Sequence, residues 1–299
     1  MSVNVLDAVG NTPLFELKNI GSRQDVQIFA KGEFLNMSGS VKDRAAKAML
    51  LDGIQSGKLT KEKTIIDATS GNTGIAYAMI GAALGYKVKL CMPSNVTEER
   101  RKIMKSYGAE IVETDPLEGI GGAYNECQRI ISEHPEVYFY PDQYSNAQNW
   151  KAHYFGTAEE IWKQTDGRIT HFVAGTGTSG TFMGCTRRLK ELNSEIRCIT
   201  MSPDSPFHGI EGIKHPSVLL GTGFFDRTAA DDSIEIATET AYQITRRLAL
   251  EEGLHVGISS GANVAAALKI AETAPENAVI VTVLCDGGCR YLSGSFWGD

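Results

Sequence analysis

Four short segments carry the residue types that chemistry would need, and one holds a lysine in an unusual setting. Lys42 sits in Ser38-Gly39-Ser40-Val41-Lys42-Asp43-Arg44, among small polar residues at the start of a helical run. Free backbone N–H groups gather there and prefer an anion, so the place disfavours a surface ammonium. It suits a lysine held as an imine to a phosphorylated aldehyde, whose phosphate provides the anion. Alone, the segment is only a capped helix start. The second segment, Thr69-Ser70-Gly71-Asn72-Thr73-Gly74, follows the short β-type run Thr64–Ala68 and opens a small-residue helix over 75–84. Strand, polar glycine turn and helix form a cradle for a carboxylate or a phenolate.

The third segment is Gly175-Thr176-Gly177-Thr178-Ser179-Gly180-Thr181, after the run Ile169–Ala174. Its glycines let the backbone approach a ligand closely, and its N–H groups can wrap a phosphate. It also matches the dinucleotide pattern G-x-G-x-x-G, with Asp204 after the next strand-like run. Four hydroxyl-bearing residues in and beside the loop suit a phosphate monoester better than a pyrophosphate. A nicotinamide dehydrogenase would leave the Lys42 and Asn72 segments unexplained. The fourth segment, Gly257-Ile258-Ser259-Ser260-Gly261-Ala262-Asn263, marks another strand-to-helix junction and alone reads as an N-cap.

The elements that must position these segments alternate between strand and helix. Strand-like runs fall at 26–30, 64–68, 88–91, 110–112, 137–140, 170–174, 196–201 and 279–284, with helical stretches between most of them. Such alternation argues for parallel sheets covered by helices. The 299 residues are 42% hydrophobic and 22% charged, enough for one or two substantial cores. The net charge is −7, from 29 basic and 36 acidic residues, and no basic run points to nucleic acid. No apolar run nears the ~20 residues of a membrane span, and the N-terminus has no basic-then-apolar leader, so a cytoplasmic location is expected. The cysteines at 91, 127, 185, 198, 285 and 289 are scattered, which reads as reduced thiols. Cys285 and Cys289 have no second Cys/His pair at zinc spacing, so no metal site is expected.

In this order the four segments resemble the cysteine synthase/cystathionine β-synthase family of pyridoxal-phosphate enzymes. The likeness runs from Asn11-Thr12-Pro13-Leu14 to Arg290-Tyr291-Leu292-Ser293. Ile210-Glu211-Gly212-Ile213-Lys214-His215 and Leu284-Cys285-Asp286-Gly287-Gly288 are most similar to the cysteine synthase B branch. The resemblance implies fold type II, the tryptophan-synthase-β-like α/β fold of two parallel-rich, three-layer domains. A smaller domain is expected over 40–145, and a larger one over 1–39 and 146–299, with pyridoxal 5'-phosphate in the cleft between. The chain stops at Asp299, so no appended regulatory domains and no haem-holding N-terminal segment are expected.

By the same resemblance, Lys42 forms the Schiff base with the cofactor and moves the Cα proton. Gly177, Thr178, Ser179, Gly180 and Thr181 hold the phosphate, and Asn72 bonds the phenolic oxygen. Thr69, Ser70, Gly71, Asn72, Thr73 and Gln143 close on the substrate carboxylate, although Gln143 and Thr73 also read as a loop residue and a helix-start hydroxyl. Ser259 faces the pyridine nitrogen; a neutral hydroxyl there favours expelling a β leaving group over transamination. Dehydratases of this fold carry Phe-Lys and Gly-Asn-His, where this chain has Val41-Lys42 and Gly71-Asn72-Thr73. The implied reaction is β-replacement on O-acetylserine or O-phosphoserine with sulfide or a related thiol donor, through an aminoacrylate, giving L-cysteine. Cysteine lyase, desulfhydrase or cystathionine β-synthase activity stays open, as does a catalytically idle binding partner. Lys214-His215 reads either as a basic pair at the cleft mouth, where it would welcome an anion, or as a solvated loop. Asp231-Asp232 is expected near the mouth too, where a carboxylate could activate water. A homodimer is expected from the family's habit.

Overall fold

A computed structural model describes residues 4–21, 23–218 and 223–297. Along the chain run β1 (Leu14–Glu16), β2 (Gln27–Gly32), α1 (Lys42–Gln55), β3 (Thr64–Ala68), α2 (Asn72–Leu84), β4 (Val88–Pro93), α3 (Glu98–Ser106), β5 (Glu110–Thr114), α4 (Gly119–Glu133) and β6 (Tyr138–Phe139). Then follow α5 (Gln148–Ala152), α6 (Ala158–Gln164), β7 (His171–Gly175), α7 (Gly180–Leu192), β8 (Arg197–Pro203), β9 (Asp232–Ile236), α8 (Thr238–Glu252), α9 (Ile258–Thr273) and β10 (Val279–Leu284).

The strands form two sheets. One has the order β5-β4-β3-β6 and is parallel throughout. The other has the order β1-β2-β10-β7-β8-β9 and is parallel except for the β1–β2 pair. The central strand β10, Val-Ile-Val-Thr-Val-Leu, is buried at every position, as a parallel strand covered on both faces must be. The edge strands β5 and β9 carry exposed residues instead.

Side chains two apart along a strand face the same way, so each sheet builds two cores. In the four-stranded sheet, Ile65, Leu90 and Met92 pack with α1 and α2, while Ile66, Ala68 and Cys91 pack with Ala123 and Cys127 of α4. In the six-stranded sheet, Ile28, Val173, Ile199 and Ile280 pack with α8 and α9. Its other face, through Phe172, Cys198, Val281 and Val283, packs with α6 and α7. Each sheet is therefore the middle of three layers. Among the described residues, no helix is long and apolar enough to cross a membrane.

The structure differs from the sequence pattern at the edges. β1 is three residues long and β9 is Asp-Ser-Ile-Glu-Ile, too short and too polar to stand out. β6 keeps only Tyr138–Phe139 of the run expected over 137–140.

Candidate active site

Parallel strands point their C-terminal ends at one edge, and loops leaving that edge make the site. Ser40 bridges to Asp286 just beyond β10, and the Val41 N–H donates to the Cys285 carbonyl at 2.8 Å. This pins the chain immediately before α1, whose first residue is Lys42. The turn before it is held by Asp43, whose carboxylate accepts from the Ser38 N–H at 2.6 Å and from the Ser38 hydroxyl. Burial pushes the Asp43 carboxyl up to about 6, against the pull of those Ser38 bonds and of Arg290. Gly39 needs its φ of +86°, and a Cβ there would meet the Arg290 guanidinium at 2.9 Å.

The turn after β3 delivers Thr69, Ser70 and Gly71, then Asn72 and Thr73 as the first residues of α2. The Asn72 amide donates to Asp286 Oδ2 at 2.7 Å, and its carbonyl oxygen accepts from Arg290. The two partners fix the amide's orientation and leave its second N–H for a ligand. The Thr73 hydroxyl donates to Gln143 Oε1 at 2.9 Å, joining the turn to the segment after β6.

The loop after β7 is packed tightly on both sides. A Cβ on Gly177 would lie 2.2 Å from the Gly212 carbonyl oxygen, and one on Gly180 would lie 2.0 Å from Asn149 Oδ1. Ser179 takes a left-handed φ of 71° before α7 begins at Gly180. Asn149 braces the loop, donating to the Thr178 hydroxyl at 3.0 Å and to the Gln143 carbonyl at 2.7 Å. Thr181 Oγ1 lies 3.3 Å from His153 Nε2. Burial drives the His153 ring down to about 3, so it is neutral. The first N–H groups of α7 have no intrahelical acceptor, and the Ser179 hydroxyl is buried without a partner. Together they form a cradle of donors that fits the phosphate of pyridoxal phosphate.

Ser259 is the second residue of α9 and is 5% exposed. Asn263, one turn on, accepts from the Gly175 N–H and donates to the Val283 carbonyl, each at 2.8 Å. It ties the ends of β7 and β10 together beside Ser259.

A cavity of about 310 Å³ opens between these loops. Lys42, Thr69, Ser70, Gly71, Asn72, Thr73, Gln143, Gly177, Thr178, Ser179, Gly180, Thr181 and Ser259 all line it. Asn149, Asp286 and Arg290 support it without lining it. Asp286 and Arg290 fall in segments that carry the family resemblance, but no local pattern gives them this role, and no motif includes Asn149. Lys214 lines the cavity, with its ammonium 4.0 Å from the Tyr144 ring centroid. His215 does not line it and contacts Ser217 at 2.7 Å. The expectation for Asp231-Asp232 is overturned, since neither lines the cavity. Asp232 pairs in register with Ile199 near the start of β8, at the sheet edge opposite the site. Asp231 is held there by Lys190 at 2.7 Å and by the Cys198 N–H at 2.7 Å.

The family model of pyridoxal-phosphate dependent enzymes matches residues 5–286. The chain belongs to that family. Within it, the chain is 50% identical to a cysteine synthase of Aquifex aeolicus, over 99% of this chain and 92% of that one. It is 40% identical to cysteine synthase B of Salmonella typhimurium, over 99% of this chain and 97% of that one. Its fold matches the crystal structure of a cysteine synthase from Entamoeba histolytica with a TM-score of 0.95 at 36% identity, covering 100% of this chain and 91% of that one.

Proposed function

We propose that this chain makes L-cysteine by β-replacement: O-acetylserine and sulfide give cysteine and acetate. The observation that carries this reading is the convergence of Lys42, the Asn72 turn, the phosphate cradle and the Ser259 hydroxyl on one cavity. Pyridoxal phosphate, when bound, supplies the electron sink that lets an amino acid shed its Cα proton and then its β substituent. Gly177, Thr178, Ser179, Gly180 and Thr181 would hold its phosphate, Asn72 would donate to its phenolic oxygen, and Lys42 would anchor its aldehyde carbon until the substrate amine takes that place and frees it. Thr69, Ser70, Gly71, Asn72, Thr73 and Gln143 bind the substrate carboxylate and so aim Cα at Lys42. Lys42 Nζ takes the Cα proton, acetate departs from Cβ, sulfide adds at Cβ, and Lys42 returns the proton to Cα.

The test pairs O-acetylserine or O-phosphoserine with sulfide, thiosulfate or homocysteine and measures the amino acid formed. Cysteine from O-acetylserine and sulfide is expected to form fastest. Fastest turnover with homocysteine would instead make the chain a cystathionine β-synthase, and no turnover with any pair would make it a binding partner only.

The Ser259 hydroxyl would hold the cofactor's ring nitrogen and, being neutral, would leave that nitrogen unprotonated. Ser259→Ala then removes one hydrogen bond, worth ~0.5–1.5 kcal/mol, and is expected to slow turnover by about tenfold at most. Ser259→Asp protonates the ring and is expected to slow β-replacement further and to change the cofactor's absorbance. An aspartate variant with wild-type rate and spectrum would remove Ser259 from this role.

The reading includes a division into residues 40–145 and residues 1–39 with 146–299. It is supported by the strands of the four-stranded sheet, all of which lie between Thr64 and Phe139. It also includes a homodimer, supported by exposed apolar side chains on the N-terminal segments, Val5, Leu35 and Met37. Sedimentation at micromolar concentration is expected to give twice the chain mass; a monomer there refutes the dimer. The proposed compartment is the cytoplasm, in keeping with the free thiols Cys91, Cys127, Cys185 and Cys198.

A further inference from the structure

Besides Lys42 and Lys214, two charged side chains line the cavity, and they come from opposite sides of it. Arg100 stands in the first turn of α3, which follows a strand of the four-stranded sheet. Glu211 stands in the segment after β8 of the six-stranded sheet. Arg100 Nη2 meets Glu211 Oε2 at 2.5 Å. Among the described residues lining the cavity, Glu211 is the one carboxylate.

The two partners are not equally bound to their places. Arg100 is 8% exposed, its guanidinium carbon lies 5.1 Å from the Tyr291 ring centroid, and its Nε is buried without a partner. A guanidinium offers five donors in a fork shaped for carboxylate or phosphate, and this one is under-used. The Glu211 side chain is 44% exposed and can turn to water at little cost. The fixed member of the pair is therefore the cation, and the movable member is the anion that covers it.

We propose that Glu211 sets the donor charge this cleft accepts. Paired with Arg100, it leaves that wall without net charge and occupies the guanidinium that would otherwise take a phosphate, which suits the uncharged acetyl ester. Without it, Arg100 becomes a site for the phosphate of O-phosphoserine. Lys214 is present in either case and does not account for a difference between the two. The inference rests on the cysteine-forming reading above.

The experiment compares kcat/KM for O-phosphoserine and O-acetylserine, each with sulfide, in the wild type, Glu211→Gln and Arg100→Met/Glu211→Gln. Glu211→Gln is expected to raise the phospho-to-acetyl ratio by about tenfold, and the double variant to lose that gain. In parallel, calorimetry with inorganic phosphate on each holoenzyme is expected to show about tenfold tighter binding to Glu211→Gln only. A ratio and a phosphate affinity within twofold of wild type in Glu211→Gln overturn the proposal. A gain that persists in the double variant overturns the assignment to Arg100. If the wild type turns over neither donor, the cysteine-forming reading fails, and the phosphate titration alone still decides whether Glu211 covers an anion site at Arg100.

Discussion

Lys42→Ala is expected to lower cysteine formation at least ~10³-fold, because one amine both takes and returns the Cα proton and general acid–base steps alone contribute 10²–10⁴. Two further readouts isolate the cause. The violet absorbance of a lysine-bound cofactor is expected to vanish while the phosphate cradle still retains the cofactor. Exchange of the substrate Cα proton with solvent deuterium is expected to stop. A small primary amine such as methylamine, added to the variant, is expected to restore part of the exchange, since it replaces the missing base and no other group. Turnover within tenfold of wild type would assign the proton to another residue.

The largest stability effect is expected directly beneath that lysine. Two residues along α1, the Arg44 guanidinium meets Glu33 through Nε at 2.6 Å and Glu160 through Nη1 at 2.7 Å. Lys31, fully buried, reaches Glu160 Oε2 at 2.7 Å and also donates to the Thr12 carbonyl. Thr12 and Asn36 side chains donate to Glu33, whose carboxylate is entirely buried. The cluster joins the N-terminal segment, β2, α1 and α6. Arg44→Met leaves the Glu33 charge uncompensated, and removing one partner of a buried pair costs about 3–5 kcal/mol. Urea unfolding of the holoenzyme measures it; a loss under about 1 kcal/mol would contradict the account.

The pH dependence of that stability has a definite sign. Burial opposes ionisation of Glu160, but the Arg44 and Lys31 bonds and charges prevail and hold its carboxyl down at about 2. Burial likewise opposes ionisation of Glu33, and Arg44 together with Thr12 and Asn36 brings that carboxyl below its ordinary value. A depressed carboxyl binds fewer protons in the folded state. Its contribution is full above the ordinary carboxylate range and is lost as pH falls toward about 2. Asp43, raised to about 6, works in the opposite sense and costs stability as pH climbs to 6. Arg44→Met is therefore expected to flatten the acid limb of the wild-type stability profile.

The sequence makes the site's contact residues legible and most of their supports illegible. Lys42, the Thr69–Thr73 turn, the 177–181 loop and Ser259 stand at strand-to-helix junctions, where glycine and hydroxyl residues leave a local signature. Asn149 lies where nothing nearby marks it, and Asn263 closes the fourth segment without a pattern that tells its role; each acts on a loop elsewhere in the chain. Asp286 and Arg290 orient Asn72 from more than two hundred residues away. The Arg44 cluster is hidden for the same reason, since each member alone reads as a surface charge. Asp231-Asp232 misled because two adjacent acids say nothing about which end of a strand they occupy; the parallel register of β9 with β8 decides that. Buried strands such as β10 show in the sequence as near-continuous apolar runs, whereas β1 and β9 gain their structure only by pairing at an edge.

One measurement bears most directly on the account: holoenzyme is given O-acetylserine and sulfide, and all products are quantified together. The account predicts L-cysteine and acetate in equal amounts, with no pyruvate. Pyruvate and ammonia formed in step with acetate, at the expense of cysteine, would contradict it, because the residues at this cavity would then eliminate a β substituent without replacing it.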